Sequence, residues 1–281
     1  MSLGELVAAP VLRRELRARM LDWRTFGVLT AYLTVLGAVE AVFLLLNGPA
    51  SSVSGGRLFE RLVVAQLALA LVLTPLVTTG AVSGERQRGT WDLLLLTPVS
   101  PFAIVCNKLV SRMAFLLLLQ VVALPFIAVA FLFGDLNLAD ALPAQIVLLG
   151  TTLLFAAVTL TASVLAPRTL LAAAGALSLV LLLSGVLTLI LSGGVRGWQP
   201  LAAGGTQTSV ILPVVAALDP VAALDSALPG RSITTSIPGV RHSVGPDVWK
   251  SFLTLAVVLS TLCVAGATLL VRSRPEKWTG G

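Results

Sequence analysis

Long apolar stretches, broken by short charged or Gly/Pro-bearing segments, set the pattern of this chain. The first run is Thr25–Leu46, closed by Asn47, Gly48 and Pro49. Others follow at Leu62–Ser83, Met113–Gly134, Pro143–Ala166, Thr169–Ser192 and Ser251–Val271. Each is long enough for the roughly 20 residues that carry a helix across a bilayer. The pattern predicts an all-α integral membrane protein with six transmembrane helices. Pro75 and Pro125 lie inside the second and third runs, where neighbours or water can satisfy the freed carbonyl. A further apolar stretch, Thr208–Leu228, is interrupted by Pro213, Asp219 and Pro220. A crossing there would carry Arg272, Arg274 and Lys277 to the outer side. It reads instead as a short re-entrant or interfacial helical pair in a long outer loop.

Lysine and arginine orient the spans, because cytoplasmic loops carry the excess. Thirteen of these residues fall on one side of the six-span scheme, including Arg13 to Arg24, Arg86, Arg88, Lys108, Arg112 and the tail; six fall on the other. Both termini are therefore expected in the cytoplasm. The chain divides as one transmembrane domain over 1–281: a leader at 1–24, spans one to five within 25–192, an outer loop at 193–250, and span six with its tail at 251–281. Residues 9–23 (APVLRRELRARMLDW) space Val11, Leu12, Leu16, Met20 and Leu21 at helical intervals, with arginines around much of the remaining circumference. Such a helix lies in the membrane interface, or serves only as a topogenic charge cluster. A cleaved signal peptide is not expected, since the first apolar run is too long for one and sits behind this basic segment.

Composition sharpens the class. Hydrophobic residues make up 57% and charged residues 11%, where a soluble chain has about 25% charged; mean hydropathy is +0.98. Disordered proteins, disulfide scaffolds and soluble enzymes are excluded. The net charge of +6 flanks apolar runs, so it reports topology and not nucleic-acid binding. Cys106 and Cys263 read as small buried hydrophobes, not as a disulfide or metal pair.

The segment with chemical character is Ser83–Arg112, SGERQRGTWDLLLLTPVSPFAIVCNKLVSR. Gly84 and Gly89 bracket a charged turn. Thr90 can cap a short helix whose first turn holds Asp92, where the dipole favours an acid. Trp91 and Leu93 to Leu96 form an apolar turn and a half ending at Pro98. Ser100 and Pro101 are a second N-cap and first-turn proline. From there a helix can run without interruption through Gly134, roughly 50 Å at 1.5 Å per residue, against about 30 Å of hydrocarbon. Its first turns are expected to project into the cytoplasm, with Lys108 and Arg112 on one face. The apolar turn either docks in another protein's groove or lies on the lipid surface.

Glu85-Arg86-Gln87-Arg88-Gly89-Thr90-Trp91-Asp92-Leu93-Leu94, with Pro98, Ile104-Val105 and Lys108 behind it, closely resembles the signature loop of ABC-2-type permeases, the membrane subunits of ATP-binding cassette transporters. Trp91 stands where that pattern usually has Leu, and Asn107 where Gly is common. Leu218-Asp219-Pro220 and Leu224 resemble the family's stretch before the last span. The resemblance implies a permease, in most cases an exporter, working as a pair of identical or related chains on cytoplasmic ABC ATPase subunits, in the plasma or inner membrane. It implies that 90–96 is a coupling helix, that Glu85, Arg86, Gly89, Thr90, Trp91 and Asp92 hold the turn and contact, and that Leu93 and Leu94 anchor it. No phosphate-binding loop G-x-x-x-x-G-K-[ST] occurs in the chain, so ATP and Mg are expected on the partner, with no cofactor, metal or catalytic residue here.

Other classes fit less well. A membrane-embedded enzyme would need ionisable clusters inside the spans, and the single histidine, His242, lies in the outer loop. An ion-coupled carrier would need acids on its path; the central spans offer only Glu40. A non-transporting scaffold or sensor stays open. Glu40, Gln66 and Gln120 are the candidate pathway or interhelical polar residues, together with Thr152.

Overall fold

The computed structural model describes residues 23–47, 54–87, 89, 100–166, 168–186, 217–228, 233–234, 243–244 and 248–273. The basic leader through residue 22, the apolar turn at 90–99 and all of 187–216 lie outside the described residues. The architecture is helical: α1 (Trp23–Asn47), α2 (Gly55–Thr78), α3 (Ser83–Gln87), α4 (Pro101–Val122), α5 (Leu124–Leu132), α6 (Leu138–Leu165), α7 (Thr169–Leu181), α8 (Pro220–Ala227) and α9 (Val248–Ser273). Apart from the helices, the described residues hold one antiparallel ladder of two rungs, Ile233 opposite Val244 and Thr234 opposite Ser243.

Among the described residues, five helices are long and apolar enough to cross a membrane: Thr25–Leu46, Gly55–Ala81, Pro101–Leu132, Leu138–Leu165 and Val248–Arg272. The remaining expected span is described only as α7 and a π turn over Leu182–Val186. Two boundaries depart from the hydropathy pattern. The second span begins at Gly55, not Leu62, because Arg57, Glu60 and Arg61 are helical although they mask the apolar run. The third is not continuous: it breaks at Ala123 into α4 and α5. Pro125 has no N–H to give the Val121 carbonyl and sits in the first turn of α5, where a proline suits a new helix start; Pro75, by contrast, lies within an α2 that continues to Thr78.

The α6 helix lies at the centre, packed against α2, α4, α7, α8 and α9. Its sequence explains this position. In lipid there is no hydrophobic force between helices, so close approach by small residues and interhelical hydrogen bonds do the work. Ala144, Gly150, Ala156, Ala157 and Ser163 are all buried on it. A Cβ at Gly150 would stand 2.6 Å from Leu253 Cδ2, so the glycine lets that leucine of α9 pack directly on the α6 backbone. Thr161 Oγ1 donates to Ala157 O and, across the gap, to Cys263 O at 3.2 Å. By contrast α1 and α9 bury few of their residues, with Leu45, Leu46, Leu262 and Leu269 on the surface. That surface suits hydrocarbon rather than water.

Two apolar clusters fill the interior. The larger joins Leu36, Phe59, Leu62, Leu116, Leu148 and Phe252. The smaller joins Val82, Ile104, Val105, Leu160, Val164 and Ala267, and so gathers one end of α2, α4, α6 and α9. At the opposite end Gly55 packs so tightly on the carbonyls of Ala130 and Gly134 that no side chain fits. Asp219 caps α8 there, its Oδ1 accepting from Val221 N at 2.9 Å. Asp219 and Pro220, which break the apolar pattern of the outer loop, thus start a buried helix packed on α6 and α9.

Candidate functional site

Three spans converge where the loop after α2 begins. The α2 helix tightens into a 3₁₀ turn at Thr79–Ala81 and then forms α3. Its carbonyls would be orphaned in an apolar interior, since the last turn of a helix has no internal partner. Ser163 of α6 supplies one: its hydroxyl donates to Thr79 O and accepts from Val82 N at 3.2 Å and Ser83 N at 3.1 Å. Ser83 Oγ also donates to Thr79 O at 2.8 Å. Arg112 of α4 reaches Val77 O at 2.7 Å.

The α3 segment is then tied on both sides. Glu85 forms a salt bridge with Lys108 of α4, whose side chain keeps 7% of its surface against 21% for Glu85. Arg86 donates from Nη1 to Ala166 O at 3.0 Å and from Nη2 to Val164 O at 3.1 Å. These are terminal carbonyls of α6, where a cation also meets the negative end of the helix dipole. Thr169, at the start of α7, donates to Gln87 Oε1 at 3.0 Å. Gly89 follows with φ +68, a left-handed conformation that favours glycine.

The charged segment 85–88 is therefore a helical turn and not an open loop over Glu85–Gln87. Lys108 and Arg112 do share a face of α4, but that face turns inward: Lys108 is 5% exposed and both cations are spent on the loop root and α2. The reason is electrostatic. A lysine at this depth needs an acid, and α3 brings Glu85 to it. The expected cap at the start of α4 is present, with Ser100 Oγ accepting from Ala103 N at 3.2 Å.

Among the other sequence candidates, Glu85, Arg86 and Gly89 come together in this cluster. Thr90, Trp91, Asp92, Leu93 and Leu94 lie outside the described residues. Gln66 and Gln120 meet at a different level, around a small cavity also lined by Tyr32 and Thr152. Glu40 joins neither group; among the described residues its Oε1 has no hydrogen-bond partner. Ser163 is a participant that sequence reading did not single out, and Lys108 and Arg112 were set on one face of the following helix without their partners. The signal was present for the cations, whose spacing set them on one face, but a single serine near the end of an apolar run carries none.

The described residues hold no group of three or more His, Cys, Asp or Glu able to bind a metal. The cluster's chemistry is mechanical: charges and caps fix the emergence of a loop from a bundle. No curated protein gives a match. The sequence profile of the family described as ABC-2 family transporter protein matches residues 9–273, nearly the whole chain. By that match the chain, a multi-pass membrane protein, belongs to the ABC-2 transporter family.

Proposed function

We propose that this chain is the permease subunit of an ATP-driven exporter, moved by a separate ABC ATPase through the loop that leaves α3 and returns at Ser100. The observation that carries the reading is the clamped loop root. Glu85 on Lys108 and Arg86 on the end of α6 tie the loop to α4 and α6. A push on the loop is then delivered to the spans instead of being absorbed by slack. Leu93 and Leu94 supply the apolar anchor in the ATPase, and Thr90, Trp91 and Asp92 shape the turn that presents them.

In this reading residues 169–192 form the fifth of six spans. The end that gathers Arg86, Lys108, Arg112, Arg168 and Arg272 faces the cytoplasm, as the excess of basic residues requires. Both termini lie on that side, with the leader in the interface. A second copy or a related permease completes the pathway, and ATP with Mg binds on the ATPase. The nucleotide can shift the permease only by its differential affinity for the two states of the assembly.

Reconstitution tests this directly. Vesicles holding the chain together with its ATPase should concentrate cargo only with hydrolysable ATP. Uphill movement by the chain alone would refute the proposal and favour an ion-coupled carrier, for which Glu40 is a candidate acid.

A further inference from the structure

The cavity near mid-span stands apart from the loop cluster. It lies among α1, α2, α4 and α6, and leucine and alanine side chains surround Tyr32, Gln66, Gln120 and Thr152. Gln66 is 2% exposed. Gln145 of α6 donates from Nε2 to Gln66 Oε1 at 3.4 Å, which turns the Gln66 carbonyl toward α6. Its NH₂ group is left with no partner among the described residues, as is that of Gln120. Thr152 donates to Leu149 O at 2.8 Å and so offers an acceptor lone pair to the cavity.

Two buried amides that only lack acceptors define the chemistry of what fits between them: an oxygen able to accept two hydrogen bonds. Size then decides which oxygen. The cavity measures about 20 Å³, and a water requires roughly 10–15 Å³ by this measure and 2–4 polar partners. A lipid carbonyl or a cargo headgroup meets the polar requirement but not the volume. The two amides do not bond each other directly, since neither Nε2 has a partner among the described residues.

We propose that this cavity is a binding site for one water molecule, which accepts hydrogen bonds from the Gln66 and Gln120 amides and donates to Thr152 or Tyr32. The water links α2 and α4 to α6 or α1 where the bilayer offers no other solvent for a polar group. It makes the two glutamines a unit, since either amide without the water is a buried donor with nothing to bond.

The test uses the full chain in nanodiscs. A high-resolution density map should show a compact peak at about 2.7–3.2 Å from both amide nitrogens. Elongated density from lipid or cargo in the cavity, or no peak between the two amides, overturns the assignment. A thermodynamic cycle gives an independent reading. Gln66→Leu and Gln120→Leu should each lower the unfolding midpoint by about 2–4 °C. The double variant should lose clearly less than the sum, because the second amide has no site left to serve. Strictly additive losses would mean the glutamines share nothing, and would overturn it as well.

Discussion

The Glu85–Lys108 pair offers the sharpest test of how the loop is held. Lys108→Met keeps most of the aliphatic stem and removes the charge, leaving Glu85 beside a nonpolar group. Breaking a buried ion pair from one side costs about 3–5 kcal/mol. Glu85 retains a fifth of its surface, so water offsets part of this and the expectation is about 3 kcal/mol. At about 2–4 °C per kcal/mol for a chain of this size, the unfolding midpoint should fall by about 6–12 °C. Tryptophan fluorescence during heating of the detergent-solubilised chain measures it. The double variant Glu85→Leu with Lys108→Met should recover most of the loss, because an apolar pair replacing a buried ion pair is commonly neutral or better. A Lys108→Met midpoint within about a degree of the parent would refute the reasoning. So would a double variant no more stable than the single.

Leu93→Asp should leave the unfolding midpoint of the isolated chain unchanged and abolish capture of the ATPase in a pull-down; normal capture would remove Leu93 from the anchor. Gly55→Val should destabilise by at least about 2 kcal/mol, read from the same thermal scan, because its side chain meets the carbonyls of Ala130 and Gly134. Ser163→Val should cost about 1–3 kcal/mol, since Thr79 O, Val82 N and Ser83 N lose a shared partner, whereas Ser163→Thr should retain part of that bonding. A cysteine at Arg231 should react with a membrane-impermeant thiol reagent on intact cells, and protection there would reverse the proposed orientation.

Much of the fold was legible because bilayer and backbone impose simple periodic demands. Thr25–Leu46 was read with the bounds of the observed apolar helix, and Ser100–Pro101 was recognisable as a helix start from residue type alone. Gly55–Arg61 was missed because charges at the end of a span lower its hydropathy without ending its helix. The break at Ala123 was underestimated: tolerance of Pro125 in a membrane helix does not mean continuity. For the candidate site, the charged signature named Glu85, Arg86 and Gly89, and these lie at the loop root beside α4 and α6. That Lys108 turns inward could not be read from spacing, which fixes a face but not what that face meets. Ser163 acts through a contact 80 residues distant in sequence from Ser83, and no local pattern encodes such a pairing.

The interruption between α4 and α5 has one more implication. The α4 rod carries Lys108 and Arg112, both bonded at the loop root, while the α5 end packs against Gly55 at the opposite end of α2. Under the proposed coupling, a push at the base would swing α4 about this break while the unbroken α6 carries it across, and the third crossing would serve as an articulated arm rather than a pushrod.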